Sequence, residues 1–161
     1  MTSLSPDDRR HLARAVALSR EHMERGDGGP FGAVIVRDGA VLAEGWNQVT
    51  STKDPTAHAE VVAIRRACRE AGDFQLEGAT LYTSCEPCPM CLASAYWARV
   101  ARIVYANTRD DAAAIGFDDR LIYDEIPKAP GDRLVPMAHA PSEAAAEVFA
   151  DWLRKADRVA Y

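Results

Sequence analysis

Ala79-Thr80-Leu81-Tyr82-Thr83-Ser84-Cys85-Glu86-Pro87-Cys88-Pro89-Met90-Cys91 is the stretch on which the fold turns. Its first half, Ala79 to Ser84, is a short β-prone run that reads as a buried strand. Pro89 then suits the first turn of a helix running to about Ala98, because its missing N–H is one the helix start would leave unbonded anyway. Downstream, Arg102 to Ala106 supplies another buried strand. Upstream, Val61, Ile64, Cys68 and Ala71 keep helical spacing over Ala57 to Ala71, and Gly72 stands where a helix ends in a left-handed residue. Strands separated by helices pair in parallel, and such crossovers put helices on both faces of a sheet.

Nearer the N-terminus the pattern changes. Ser5-Pro6-Asp7-Asp8 reads as a cap followed by a proline in the first turn, and Leu12, Val16, Ser19 and Met23 then fall on one helix face as far as Gly26. After Gly28-Gly29-Pro30, the runs Phe31 to Val36 and Val41 to Trp46 flank Asp38-Gly39, a pair suited to a type I′ turn, so they form a hairpin. The expected architecture is α/β: a three-layer α/β/α sandwich in which the hairpin is the edge of a mixed sheet. Beyond Asn107 the periodicity weakens until Ser142 caps a helix carrying Val148, Phe149, Trp152, Leu153 and Ala156.

With 161 residues, 48% hydrophobic and 27% charged, the composition is that of one globular domain and excludes whole-chain disorder. A formal charge of −5, with lysine only at Lys53, Lys128 and Lys155, provides no net positive field for a phosphate backbone, so nucleic acid is the weaker expectation as partner. Met1-Thr2-Ser3-Leu4 begins no basic and apolar leader, and no apolar run reaches the roughly 18 residues of a membrane helix, so a cytoplasmic protein without membrane contact is expected.

Three residues converge in chemical type. Cys88 and Cys91, spaced i and i+3 at a helix start, present two sulfurs on one face where the helix dipole favours thiolates. His58 at the start of the preceding helix adds an imidazole. Two sulfurs and one nitrogen suit Zn²⁺ and leave one tetrahedral position for water. Glu60, two residues after His58, has the wrong helical spacing for a fourth ligand, since i and i+2 point roughly 200° apart. Its expected role is catalytic, as proton carrier, which requires both side chains to reach past the helix end or the first turn to be irregular. His58-Ala59-Glu60 with Pro87-Cys88-Pro89-Met90-Cys91 matches the H-x-E and P-C-x-x-C pattern of zinc deaminases. The competing reading adds Cys85 as fourth ligand, closing the site into a structural zinc of a binding module. Cys68 is read as core packing, His11 and His22 as decoration of the first helix, and His139 as a loop residue.

The chain also resembles the bacterial guanine deaminases of the cytidine deaminase superfamily. The resemblance runs through Gly29-Pro30-Phe31-Gly32-Ala33-Val34-Ile35-Val36, Asp54-Pro55-Thr56-Ala57-His58-Ala59-Glu60, the Leu81 to Cys91 segment, Tyr96-Trp97-Ala98-Arg99, Gly116-Phe117-Asp118-Asp119 and the terminal Tyr161. It implies a five-stranded sheet and a homodimer whose C-terminal segment, from about 110 to 161, crosses to the partner. It also implies that Asn47 hydrogen-bonds the purine, that Phe31 and Trp97 wall the base, and that Phe117, Asp119 and Tyr161 come from the exchanged segment. The expected reaction is hydrolysis of the exocyclic amine of guanine, giving xanthine and ammonia. The rivals are a tRNA adenosine deaminase and a deaminase of cytosine, cytidine or an aminotriazine.

Overall fold

The computed structural model describes residues 3–161, so Met1 and Thr2, where the N-terminal reading begins, lie outside the described residues. Helix α1 (Pro6–Glu24) starts at Ser5, whose hydroxyl accepts from the Asp8 N–H while the Asp8 carboxylate accepts from the Ser5 N–H. Such a reciprocal cap contributes about 1 kcal/mol. The hairpin follows as β1 (Gly32–Arg37) and β2 (Ala40–Trp46). Its two-residue turn has positive φ at both Asp38 and Gly39, as a type I′ turn demands.

The chain continues through a single turn, α2 (Val49–Thr52), to α3 (Ala59–Ala71), which ends at a left-handed Gly72. Then come β3 (Thr80–Cys85), α4 (Pro89–Trp97) and β4 (Arg102–Asn107). The sheet order is β2-β1-β3-β4, with β1 antiparallel to both neighbours and β3 parallel to β4. Period-2 alternation divides the core. Ala33, Ile35 and Leu81 pack toward Ala59, Ala63 and Ala67 of α3 and Ala95 of α4. Val34, Val36, Tyr82 and Val104 pack toward Ala15 and Leu18 of α1. This is the expected three-layer sandwich.

The sheet has four strands among the described residues, not the five expected. After Asn107, Thr108 and Asp111 form a second capping box and open α5 (Arg109–Ala114), an acidic first turn followed by alanines. Those residues favour helix over strand.

The buried face of α1 is also not the expected one. Asp8, His11, Ala15, Leu18, Ser19 and His22 are buried, whereas Val16 and Met23 are exposed. The cause is Gly32: a Cβ there would lie 2.3 Å from the Ala15 carbonyl oxygen and 2.7 Å from the Ser19 nitrogen. The helix therefore rests its small residues on the strand backbone. On the other side, a Cβ on Gly45 would lie 2.3 Å from the Ala59 carbonyl oxygen and 2.6 Å from the Ala63 nitrogen, so α3 sits equally close to β2. His11 and His22 do not decorate the surface; His11 packs beside Tyr82 and His22 stacks on Trp46.

The chain divides into two units, one ending at Asp119 and the other Arg120–Tyr161. Within the first unit, Phe117 packs against Phe31 and the Arg109 N–H donates to Glu86. The second unit holds α6 (Arg120–Glu125), a 3-10 turn (Pro130–Asp132) and α7 (Glu143–Arg154), capped by Ser142 as expected. Among the described residues no helix is long and apolar enough to cross a membrane.

Candidate active site

The two helix starts on the α3/α4 side carry the ligand set. His58 is the residue before α3, with extended backbone (φ −67°, ψ 154°), and Glu60 is the second residue inside the helix. That break in geometry resolves the i, i+2 difficulty: His58 does not follow the helical rotation, so both side chains reach the same side. An Asp54 turn sets up the approach, its Oδ1 accepting from the Thr56 N–H at 2.8 Å and the Thr56 hydroxyl at 2.6 Å. Cys88 stands in the same place before α4 (φ −63°, ψ 168°), Pro89 opens the helix, and Cys91 follows in its first turn.

His58 Nδ1 lies 3.6 Å from Cys88 Sγ and 3.5 Å from Cys91 Sγ. A tetrahedral zinc with Zn–S near 2.3 Å and Zn–N near 2.0–2.1 Å requires sulfur and nitrogen about 3.6 Å apart. The residues therefore fit the ion. Among the described residues they are the one group of this kind, and Cys85 is not part of it. The Cys85 thiol is buried and donates to the Thr108 carbonyl at 3.5 Å, which removes the closed four-ligand alternative. Burial also pushes that thiol up to about 11.

The three donors act on one another's charge state. The hydrogen bond from Cys91, followed by that from His58, pulls Cys88 down to about 4. Cys91, hydrogen-bonded to Cys88 and buried, is held well above the ordinary thiol value. His58 is raised chiefly by its hydrogen bond to Cys88. Glu60 is 6% exposed; its Oε1 accepts from the Thr83 hydroxyl at 3.3 Å and its Oε2 from Cys91 Sγ at 3.4 Å. Burial raises its pKa, which suits a carboxyl group that both takes up and returns a proton.

On the β1–β2 side, Asn47 is buried and its Oδ1 accepts from the Gly29 and Val49 N–H groups, each at 3.2 Å. The Phe31 and Phe117 rings meet edge-to-face at 4.9 Å. Asp119 is raised from the ordinary carboxylate value first by burial, and Cys88 is among the charges acting on it. Trp97 ends α4, at the far end from the two cysteines, and is 66% exposed. Tyr161 belongs to the second unit and is exposed. Thr83 escaped the sequence reading, although a hydroxyl inside a buried strand two residues before Cys85 was the available signal.

Residues 5–107 match the family described as the cytidine and deoxycytidylate deaminase zinc-binding region. The chain belongs to that zinc-binding deaminase family. Guanine deaminase of Bacillus subtilis is 51% identical over 150 residues, covering 93% of this chain and 96% of that protein. The X-ray structure of guanine deaminase from Bacillus subtilis superimposes with a TM-score of 0.93 at 50% identity, covering 95% and 98% of the two chains. A tRNA-specific adenosine deaminase of Agrobacterium fabrum is 40% identical over 108 residues, 67% of this chain and 71% of that one. Membership makes the chain a zinc-dependent deaminase, and His58, Cys88 and Cys91 are grouped as a donor set that could hold the ion.

Proposed function

We propose that this chain hydrolyses guanine to xanthine and ammonia. The observation that carries the reading is a buried Glu60 bonded to one of three grouped zinc-type donors, within a chain half identical to a guanine deaminase along nearly its full length. His58, Cys88 and Cys91 would hold zinc, which when bound supplies a Lewis acid with an open position that lowers the pKa of water. Glu60 takes a proton from the water that adds at C2. It returns that proton to the adjacent ring nitrogen, then takes the proton of the new C2 hydroxyl and passes it to the amine, so the C–N bond breaks, ammonia leaves and C2 becomes a carbonyl. Thr83 holds one oxygen of that carboxylate in place. Phe31 and Phe117 wall the flat base, Asn47 donates its amide hydrogens to a purine acceptor, and Asp119 binds the far edge.

The functional form is a homodimer with C-terminal exchange, which brings Tyr161 of one copy to the pocket of the other. Supporting this, α7 exposes Val148, Phe149, Trp152 and Leu153 along one side. A cytoplasmic location accords with four cysteines kept as free thiols. Ammonia release across guanine, guanosine, adenine, cytosine, cytidine and ammeline tests the substrate. Guanine as the fastest by kcat/KM supports the reading; turnover confined to cytidine, or to a tRNA anticodon hairpin, overturns it.

A further inference from the structure

His22 and Asp27 lie outside the metal group, yet they hold the segment on which base recognition depends. The His22 ring stacks on the Trp46 indole with centroids 3.6 Å apart and planes 4° from parallel. The Arg66 guanidinium carbon lies 4.2 Å from the centroid of the same indole. Trp46 is thus fixed from two elements, and the next residue is Asn47. The other edge of the imidazole faces Asp27, with Nδ1 2.6 Å from Oδ2. The backbone reinforces this contact, for the Asp27 N–H donates to the His22 carbonyl at 3.0 Å and the Thr50 hydroxyl donates to the Asp27 carbonyl at 3.5 Å.

From Asp27 the chain runs directly onto Asn47. A Cβ on Gly28 would lie 2.2 Å from the Asn47 carbonyl oxygen and 2.5 Å from its Oδ1, so this backbone is in contact with the asparagine. The Gly29 N–H then donates to Asn47 Oδ1, while Phe31 N–H donates to the Gly29 carbonyl and Asn47 N–H to the Phe31 carbonyl. Engaging the carboxamide oxygen with backbone donors fixes which end of the amide is presented: the NH₂ end. A displacement of the Gly28-Gly29 segment would release that orientation and move Phe31 with it.

We infer that His22 and Asp27 are a positioning pair that sets the Asn47 carboxamide, and through it the enzyme's preference for a base with a hydrogen-bond acceptor on that edge. The inference rests on the reading of Asn47 as a base-binding residue. Neither residue of the pair touches substrate; each acts through the Gly28-Gly29 backbone and the Trp46 stack. A geometric error of this kind falls on binding more than on the proton transfers at Glu60.

The experiment is a double-mutant cycle on the zinc-loaded enzyme, with KM and kcat measured for guanine and for 2-aminopurine, which lacks the carbonyl acceptor. His22→Phe keeps a ring on Trp46 but removes Nδ1, and Asp27→Ala alters only a half-exposed partner, so neither depends on a drastic change in packing. Each is expected to raise KM for guanine roughly tenfold, the scale of one hydrogen bond, with kcat within about twofold. For 2-aminopurine KM should be nearly unchanged, and in an Asn47→Ala background neither substitution should add to the defect. If Asn47→Ala raises KM but His22→Phe and Asp27→Ala do not, the positioning role is wrong and the reading of Asn47 stands. If Asn47→Ala leaves KM unchanged, the base-binding reading fails and the positioning role fails with it. A loss of thermal stability with unaltered KM, or effects that add fully to Asn47→Ala, would also overturn the inference.

Discussion

The Thr83 hydroxyl donates to Glu60 Oε1 across 3.3 Å in a buried setting, joining the middle of β3 to the first turn of α3. This fixes one oxygen of the carboxyl group while the other faces Cys91. Glu60→Gln is expected to retain one zinc per chain by elemental analysis and to lower kcat by roughly 10²- to 10⁴-fold, the range for a lost general acid and base. Thr83→Val should lower kcat by roughly tenfold, the scale of one hydrogen bond, without loss of metal. Full activity of zinc-loaded Glu60→Gln would refute the assignment.

Metal removal gives a second prediction. Dialysis against a strong chelator should abolish ammonia release, and stoichiometric Zn²⁺ should restore it. Cys91→Ala should lose the metal, whereas Cys85→Ser should keep it, because Cys85 addresses the Thr108 carbonyl. A cobalt-substituted protein whose charge-transfer band indicates three sulfur ligands would contradict this arrangement.

The pH dependence of stability should carry the signature of Asp8. Its carboxylate accepts from the Ser5 N–H at 2.9 Å, from the Tyr82 hydroxyl at 2.7 Å and from Arg102 at 2.8 Å. These bonds, the Ser5 N–H foremost, hold its pKa well below the ordinary carboxylate value. A depressed folded-state pKa means the stabilisation is fully present above the unfolded value, near 3.9, and is lost as pH falls from there through the folded value. The gap in urea midpoint between the native protein and Asp8→Asn should thus be constant near neutrality and narrow below about pH 4. A gap that widened with acidification would be incompatible with this linkage.

Gly45 makes room for the helix that carries the histidine ligand. Gly45→Ala places a methyl group against the Ala59 carbonyl and must displace α3 from β2. We expect a loss of about 1–3 kcal/mol in chemical denaturation together with weakened zinc affinity. Gly32→Ala, which meets α1 instead, should cost similar stability but leave zinc affinity nearly intact.

Exchange of the C-terminal segment predicts complementation. Mixing Glu60→Ala with Tyr161→Ala chains under refolding conditions should regenerate activity, because one of the two sites in a mixed dimer would combine an intact Glu60 with the partner's Tyr161. Sites built from a single chain would each keep one defect, and the mixture would stay inactive.

The hairpin was legible because Asp38-Gly39 can take positive φ at both turn positions, and α3 because Gly72 stops it. The metal group was legible from two motifs in combination, since His58-Ala59-Glu60 and Pro87-Cys88-Pro89-Met90-Cys91 are each ambiguous alone. The orientation of α1 was not, because the position of the buried stripe depends on Gly32, in a different element, and not on the helix's own hydrophobic residues. Glycine contacts of that sort leave no mark in a local pattern. Residues 110 to 141 were illegible for another reason: they form short turns of helix with no fully buried side chain, so no periodicity is imposed on them.

His58 and Cys88 occupy the position where a serine or aspartate would ordinarily bond the first turn, and neither makes such a bond. With zinc bound as proposed, coordination would take the place of capping at both starts. Loss of the ion should therefore fray α3 and α4 together from their beginnings, and amide exchange over residues 59–62 and 89–92 should speed up as one event, making this centre a clasp on the scaffold as well as a place of reaction.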